Sequence, residues 1–218
     1  MEIQWIQALL QGLVETLLMT FISAGIAYII GIPLASLLLF SQPQGLKENK
    51  WIYLLLGRII DIFRSIPYAI LIILVYPLTR FFVGTSIGIK ATIFTLTLSA
   101  IPFVTRLIES SFQEVDHNLV ETSLSMGATP LQILFHVYLV ESKIGLVQNA
   151  AIALVNIVGY GSVAGLLGGG GLAMLAMNYG YYRKQYDMML AAVILIICIV
   201  WMIQYLSQWI IFKINHKK

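Results

Sequence analysis

The stretch from Asn118 to Gly145, NLVETSLSMGATPLQILFHVYLVESKIG, is the one long segment of this chain that is neither apolar enough to lie in lipid nor plain enough to be a linker. Its apolar side chains recur at helical spacing on both sides of an interruption at residues 127–130. This apolar face consists of Val120, Leu124, Leu131 and Leu134. The pattern predicts two short helices joined by an elbow. Gly127 is expected to end the first helix, because glycine adopts the left-handed conformation of a helix end without steric cost.

Both predicted helices carry start signals. Asn118 is expected to cap the first helix, with Glu121 at its third position. Thr129 is expected to cap the second helix, with Pro130 at the first position and Gln132 at the third. Each cap stabilises a helix by about 1 kcal/mol. That amount matters for helices too short to be stable alone.

The same stretch resembles the EAA loop of binding-protein-dependent ABC importer permeases. The resemblance lies in Glu121-Thr122-Ser123, in Gly127 six residues after the glutamate, and in Val137-Tyr138-Leu139. Thr122 and Ser123 stand where the family has alanines, and Val140 stands where it usually has a proline. In that family the loop is a coupling helix that docks into a cleft on a separate ATPase subunit. The resemblance implies ATPase-coupling roles for Asn118, Glu121, Thr122, Ser123, Gly127, Ala128, Thr129, Pro130 and Gln132.

Further segments make nearly the whole chain similar to the methionine-importer permeases. They are FRSIP at 63–67, VGTSIG at 83–88, VGYG at 158–161, GGGG at 168–171 and YGY at 179–181. The resemblance implies the fold of a type I ABC importer permease in the bacterial cell membrane. It also implies two cytoplasmic ABC ATPase subunits and an extracytoplasmic substrate-binding lipoprotein as partners.

The composition indicates a membrane protein. Of the 218 residues 59% are hydrophobic and 11% are charged, and the mean hydropathy is +0.89. Soluble domains have a charged share of about 25%. The net charge of +3 is too small to suggest a nucleic-acid partner. The single cysteine, Cys198, lies in an apolar run, so no disulfide within the chain is expected.

Five membrane spans are predicted, at roughly 13–40, 54–82, 88–110, 144–168 and 188–212. The predicted fold is therefore an all-α membrane protein with five transmembrane helices. Its divisions are an outer amino-terminal segment (1–12), a permease domain (13–212) that includes a cytoplasmic coupling loop (117–143), and a cytoplasmic tail (213–218). Prolines within the spans are expected to kink the helices; these are Pro33, Pro67, Pro77 and Pro102.

The distribution of basic residues predicts the orientation. Nine of the thirteen Lys and Arg residues fall in segments 41–66, 105–143 and 213–218. Cytoplasmic segments are enriched in these residues, so the amino terminus is expected outside and the carboxyl terminus inside. Within the second span, Arg58, Asp61 and Arg64 recur at a spacing of three, and the acid is expected to pair with both bases.

The segment from Ile144 to Tyr182 contains no charge and carries the candidate translocation path. Asn149 and Asn156 share one helical face and either bond to other helices or line the path. The residues expected to face the twofold axis at a gate are Asn156, Tyr160, Ser162 and Val163. Gly161 and Gly165 form a small-residue stripe for close helix packing.

The glycine run comprises Gly168, Gly169, Gly170 and Gly171. No Gly-Lys-Ser or Gly-Lys-Thr follows it, so it is not a phosphate-binding loop. It is either a flexible turn or a gate hinge. His117, His136 and His216 have no ligand partners at metal-binding spacing, so no metal and no other cofactor is predicted. The sequence shows no set of nucleophile, base and acid side chains, so an enzyme is not predicted.

These features lead to a permease subunit of an ABC amino-acid importer, most like the methionine importers. One copy cannot enclose a path between two ATPases, so a homodimer within membrane lipid is expected. One alternative is the same class with another amino acid or an osmolyte as cargo. Another is an ion-coupled secondary transporter, which would show inverted repeats and a midplane acid. A third is a membrane assembly subunit that transports nothing, which would not need a doubly capped elbow.

Overall fold

The computed structural model describes residues 2–215, and these residues form helices joined by short turns. Four long helices carry most of the chain. They are α1 (Glu2–Ser41), α5 (Ile89–Gln113), α9 (Lys143–Leu166) and α11 (Tyr186–Asn215). Each belongs to a helical segment long and apolar enough to cross a membrane. The all-α, multi-pass prediction is confirmed.

The second predicted span is not one continuous helix. It consists of α2 (Lys50–Ser65), α3 (Tyr68–Leu74) and α4 (Tyr76–Val83). Ile66 is extended, with φ −78° and ψ 119°, because a residue before proline is pushed out of the helical region. The expected kinks at Pro67 and Pro77 are therefore wrong: Pro67 follows a break, and Pro77 lies in the first turn of α4. Pro33 and Pro102 do lie inside helices.

The first helix begins at Glu2 and continues to Ser41, so the structure has no boundary between the proposed outer segment 1–12 and the first span. At the other end of the chain, α11 runs through Asn215. His216 and the rest of the proposed tail beyond Asn215 lie outside the described residues.

The core lies between α1 and α5. Ala27 and Ala35 of α1 and Ala100 of α5 are fully buried there. A Cβ added at Gly31 would lie 3.2 Å from a methyl group of Val104. These small residues allow the two backbones to approach closely, as in other membrane helix pairs. A second cluster joins α9 and α11 to α10 (Gly171–Leu175) around the buried Leu172.

Candidate functional site

The elbow predicted from the sequence lies between α5 and α9, and residues 117–141 are called the elbow segment below. It begins with α6 (His117–Ser125) and α7 (Pro130–Ile133). A π-helical turn (Leu134–Tyr138) and the single turn α8 (Leu139–Glu141) follow. Two short helices with an elbow are thus confirmed, and the second of them is interrupted by the π-turn.

The first helix is capped by Asp116 and not by Asn118. The Asp116 carboxylate accepts the backbone N–H of Asn118 and its side-chain amide, each at 2.9 Å. Asn118 therefore lies inside the first turn, and its predicted capping role is wrong. Asp and Asn are equally good caps, and Asp116 lies two residues before Asn118 in the sequence. Glu121 is not part of a capping box; its carboxylate lies 3.2 Å from Nε2 of His117.

The second helix begins as predicted. Thr129 donates its backbone N–H to Oε1 of Gln132 at 2.8 Å, and its hydroxyl accepts the N–H of Gln132 at 3.4 Å. This reciprocal pair is a complete capping box with Pro130 in the first turn.

Gly127 forms the elbow in the left-handed conformation, with φ +83°. Its N–H donates to the carbonyl of Leu124 at 2.9 Å, and the N–H of Ala128 donates to that of Ser123 at 3.0 Å. No atom lies within 4 Å of the place where a Cβ would stand. The backbone conformation, and not crowding, therefore requires glycine here.

The elbow segment is anchored on one face and exposes apolar groups on the other. Val120, Ile133 and Leu134 are buried in the main core. Met126 at the elbow is 83% exposed and Leu131 is 64% exposed. Of the predicted apolar face, Val120 and Leu134 are therefore buried, whereas Leu124 and Leu131 are exposed. Exposed apolar side chains at a turn favour a protein partner.

The hydroxyls of Thr122 and Ser123 are satisfied within α6. They donate to the carbonyls of Asn118 and Leu119, each at 2.8 Å. Among residues 2–215 neither hydroxyl bonds to another element, so both side chains are satisfied locally where the EAA pattern has alanines. Beside them the elbow encloses an open concavity of about 440 Å³, lined by Ser123, Gly127, Ala128, Gln132 and His136 among others.

Tyr138 ties the π-turn to the body of the protein. Its ring centroid lies 5.7 Å from that of Phe112 on α5 and 6.5 Å from that of Phe40 on α1. Burial raises the pKa of the Tyr138 hydroxyl above its usual value of 10.0. The elbow segment is therefore mechanically linked to two long helices.

A charged network beside the elbow segment joins α2 to α5. Arg106 donates through Nε to Asp61 at 3.0 Å and through Nη2 at 2.8 Å. It also bonds to Glu109 at 2.7 Å. The expected pairing of Asp61 with Arg64 is confirmed at 3.9 Å, whereas the expected pairing with Arg58 is wrong within residues 2–215. Arg106 is 45 residues away in sequence, so local spacing gave no signal for it.

The candidate path residues lie on α9. Asn149 donates to Ser111 Oγ at 2.7 Å and to the carbonyl of Leu107 at 2.9 Å, so it joins two helices. Asn156 donates only within its own helix, to Ile152. Tyr160 stacks on Tyr68 of α3, with ring centroids 5.2 Å apart.

Four positions near the end of α9 differ in how they are packed. Ser162 donates to Val158 within α9, and Val163 packs partly buried against the main core. A Cβ at Gly161 would meet nothing within 4 Å, whereas one at Gly165 would lie 2.9 Å from the backbone nitrogen of Met174. The two glycines differ in packing: Gly165 lies in close contact with α10, whereas Gly161 lines a small cavity between α9, α1 and α11.

The glycine run is a packed turn between α9 and α10. Gly168, Gly170 and Gly171 have positive φ. The N–H of Gly169 donates to the carbonyl of Ala164 at 2.8 Å. A Cβ on Gly169 would lie 2.4 Å from the hydroxyl of Thr92. The run is the expected turn between the fourth span and a short helix, and contacts hold it on several sides.

No group of three or more metal-ligating side chains occurs among residues 2–215. The site consists instead of the elbow segment at one end of the helices and the path residues of α9. This arrangement suits mechanical coupling between a partner protein and a membrane path.

Residues 27–217 match the family described as the binding-protein-dependent transport system inner membrane component. The chain belongs to this family. This permease is 40% identical to the probable D-methionine transport system permease protein MetI of Vibrio cholerae, over 93% of this chain and 90% of that protein. It is 43% identical to the D-methionine transport system permease protein MetI of Escherichia coli K12, over 72% of each chain.

A comparison with solved structures also finds similarity to a methionine transporter. The permease resembles a chain from the inward-facing MetNI methionine ABC transporter with a TM-score of 0.94 and 39% identity, covering 96% of this chain and 97% of that one. A chain of an amino-acid ABC transporter solved with histidines has a TM-score of 0.74 at 17% identity, which shows a shared fold alone.

Proposed function

We propose that this chain is the membrane-spanning subunit of an ABC importer that carries methionine. The observation that supports this most strongly is the capped elbow segment, which exposes an apolar tip on a body so similar to the methionine transporter chain. The chain supplies the path, and a separate subunit hydrolyses ATP.

Two cytoplasmic ATPase subunits dock on the elbow segments of a homodimer. ATP binding brings the ATPases together and moves the elbow segments, and this switches the path between two states as a rigid-body motion. Tyr138 provides a route for that motion, since it contacts both α1 and α5. A substrate-binding lipoprotein on the other side delivers the cargo.

The orientation follows from which ends of the helices meet. The hydroxyl of Ser207 on α11 donates to the carbonyl of Val147 on α9 at 3.3 Å, so the end of α11 lies near the start of α9. The elbow segment leads directly into that start. The end of α11 and the elbow segment therefore share one side of the helices, and we assign this side to the cytoplasm because ATP is there. The amino terminus and the glycine run lie on the outside.

The face of α9 that includes Asn156 and Gly159 lines the path at the twofold axis. Asn156 has no bond to another helix among the described residues, and Gly159, three residues later, is exposed with open space at the position of a Cβ. The charge-free sequence from Ile144 to Tyr182 suits a zwitterionic cargo with an apolar side chain. Substrate selection rests largely with the binding protein.

Reconstitution tests the proposal. The permease is placed in liposomes with the methionine ATPase and binding protein, and uptake of radiolabelled D- and L-methionine is measured with and without ATP. ATP-dependent uptake is expected. Preference for a different amino acid or an osmolyte would be consistent with an ABC importer and would replace methionine as the cargo. Uptake that needs an ion gradient and no ATP would overturn the class.

A further inference from the structure

Glu15 of α1 bonds to the start of α10, which lies 156 residues later in the chain. Its Oε2 accepts the N–H of Gly171 at 2.8 Å, and the hydroxyl of Thr16 accepts the N–H of Leu172 at 3.0 Å. The first N–H groups of a helix have no partner within the helix. Neighbouring side chains of α1 satisfy two of them here.

The other side of the glycine run is held by α5 and by the turn before it. The hydroxyl of Thr92 donates to the carbonyl of Gly169 at 3.1 Å. The N–H of Gly88 donates to the carbonyl of Gly168 at 3.1 Å. Four hydrogen bonds from two separate parts of the chain thus hold this turn.

The turn is held by close packing against α1 as well as by hydrogen bonds. A Cβ on Gly170 would lie 3.0 Å from Oε2 of Glu15, and one on Gly171 would lie 2.8 Å from the hydroxyl of Thr16. The glycines therefore allow contact with α1 and do not provide free space for bending.

Glu15 is the only charged residue between Ile3 and Leu46. A charge in an apolar span is costly unless it is compensated. The Glu15 carboxylate has no ion pair within the described part of the chain. Its compensation comes from the N–H of Gly171, from the side-chain amide of Gln11 at 2.8 Å, and from the positive end of the helical segment that starts at Gly171.

We propose that Glu15 is a positioning residue for transport, which locks the outer end of α9 to α1 and α5 through the glycine run. The outer gate then opens by movement of this whole unit and not by bending at residues 168–171. The proposal rests on the proposed function for its transport readout. It accounts for an acid in α1 that the coupling mechanism does not use.

The test compares Glu15→Leu, Glu15→Gln and Thr16→Val in the permease assembled with its ATPases and binding protein. Glutamine keeps a carbonyl oxygen for the Gly171 N–H, and leucine keeps none. Val14→Leu is the matched control, since Val14 is adjacent and 53% exposed. Hydrogen exchange at the amides of residues 168–175 and methionine imported per ATP hydrolysed are both measured.

Glu15→Leu is expected to speed amide exchange at Gly171 and Leu172 by at least about tenfold, as for loss of a hydrogen bond to a charged group. It is also expected to lower methionine imported per ATP severalfold, while Glu15→Gln stays near the wild type. Thr16→Val is expected to speed exchange at Leu172 alone. This second variant keeps the test informative if Glu15→Leu does not assemble.

Unchanged exchange in Glu15→Leu would overturn the lock. Faster amide exchange in Glu15→Leu with an unchanged amount of methionine imported per ATP would overturn the positioning role. The hydrogen bond of Glu15 would then serve only to stabilise the turn. If the wild type imports no methionine, the proposed function fails; the exchange measurement still decides whether Glu15 holds the turn.

Discussion

Arg106 and Asp61 form a two-pronged ion pair across the α2–α5 boundary, with Nε to Oδ1 at 3.0 Å and Nη2 to Oδ2 at 2.8 Å. The same guanidinium bonds to Glu109, which is 3% exposed, and to the carbonyl of Gly57. One arginine therefore serves two carboxylates that differ in burial. This difference predicts an order of mutational effects.

Arg106→Ala is expected to destabilise the protein by roughly 3–5 kcal/mol, because it leaves the buried Glu109 carboxylate without its partner. Asp61→Asn is expected to cost no more than about 1 kcal/mol, because the Asp61 side chain is half exposed. Arg58→Ala serves as the control with little effect. Thermal unfolding in detergent measures the order, and equal shifts for all three variants would contradict the network.

Gly127→Val is expected to weaken coupling. A β-branched residue in the left-handed conformation costs on the order of 1–2 kcal/mol. Gly127→Asn is the matched control, since asparagine tolerates this conformation and nothing stands within 4 Å of the new Cβ. Co-purification of the ATPase and substrate-stimulated ATP hydrolysis are measured. Wild-type uptake by the valine variant at equal membrane abundance would show that the elbow is not the coupling element.

The corrected cap gives a local prediction. Asp116→Ala and Thr129→Ala are each expected to cost about 1 kcal/mol in local stability, whereas Asn118→Ala is expected to cost less. The reason is that Asp116 and Thr129 accept backbone N–H groups and Asn118 does not. Amide exchange in the elbow segment reports the difference. A larger effect from Asn118 than from Asp116 would restore the original assignment.

Val163→Cys in a Cys198→Ser background is expected to crosslink across the dimer in at least one nucleotide state. The expectation follows from the position of Val163 four residues after Gly159, on a face of α9 where the protomer leaves open space, and from its side chain, which is only partly buried. Ile194→Cys on the exposed side of α11 is the control and should not crosslink. Absence of a Val163 crosslink in every ATP state would remove this residue from the gate.

Reporter fusions test the orientation. A reporter active only in the cytoplasm is expected to work at the carboxyl terminus, because that end of α11 lies beside the start of α9. A carboxyl-terminal fusion active only in the periplasm would invert the topology and separate the elbow segment from ATP.

The elbow was predictable because its determinants are local. A left-handed glycine and a capping box depend on a few adjacent residues, and Gly127 and Thr129 show both in sequence. The interruption at Ile66 could also have been predicted from the proline that follows it. The uniformly apolar composition of residues 54–82 did not indicate the break at Ile66. Hydropathy measures how well a segment partitions into lipid, and it does not report whether the helix is continuous.

The long-range contacts were not predictable from one sequence. Asp61 has Arg58 and Arg64 at helical spacing, yet it bonds to Arg106 because α2 lies against α5. Likewise, nothing in the sequence near Glu15 indicates that its carboxylate accepts a hydrogen bond from the backbone N–H of Gly171. Such pairs depend on how the helices pack, which periodicity does not encode.

The packed glycine run also constrains how the gene can vary. A methyl group at Gly169 would collide with the Thr92 hydroxyl, and one at Gly171 would collide with that of Thr16. A smaller residue at 92 or 16 would not make room, because a Cβ at Gly169 would also lie 2.7 Å from the backbone oxygen of Ala164 and Gly171 has a φ of +79°; related genes should therefore keep both glycines. The turn would then be inherited as a unit.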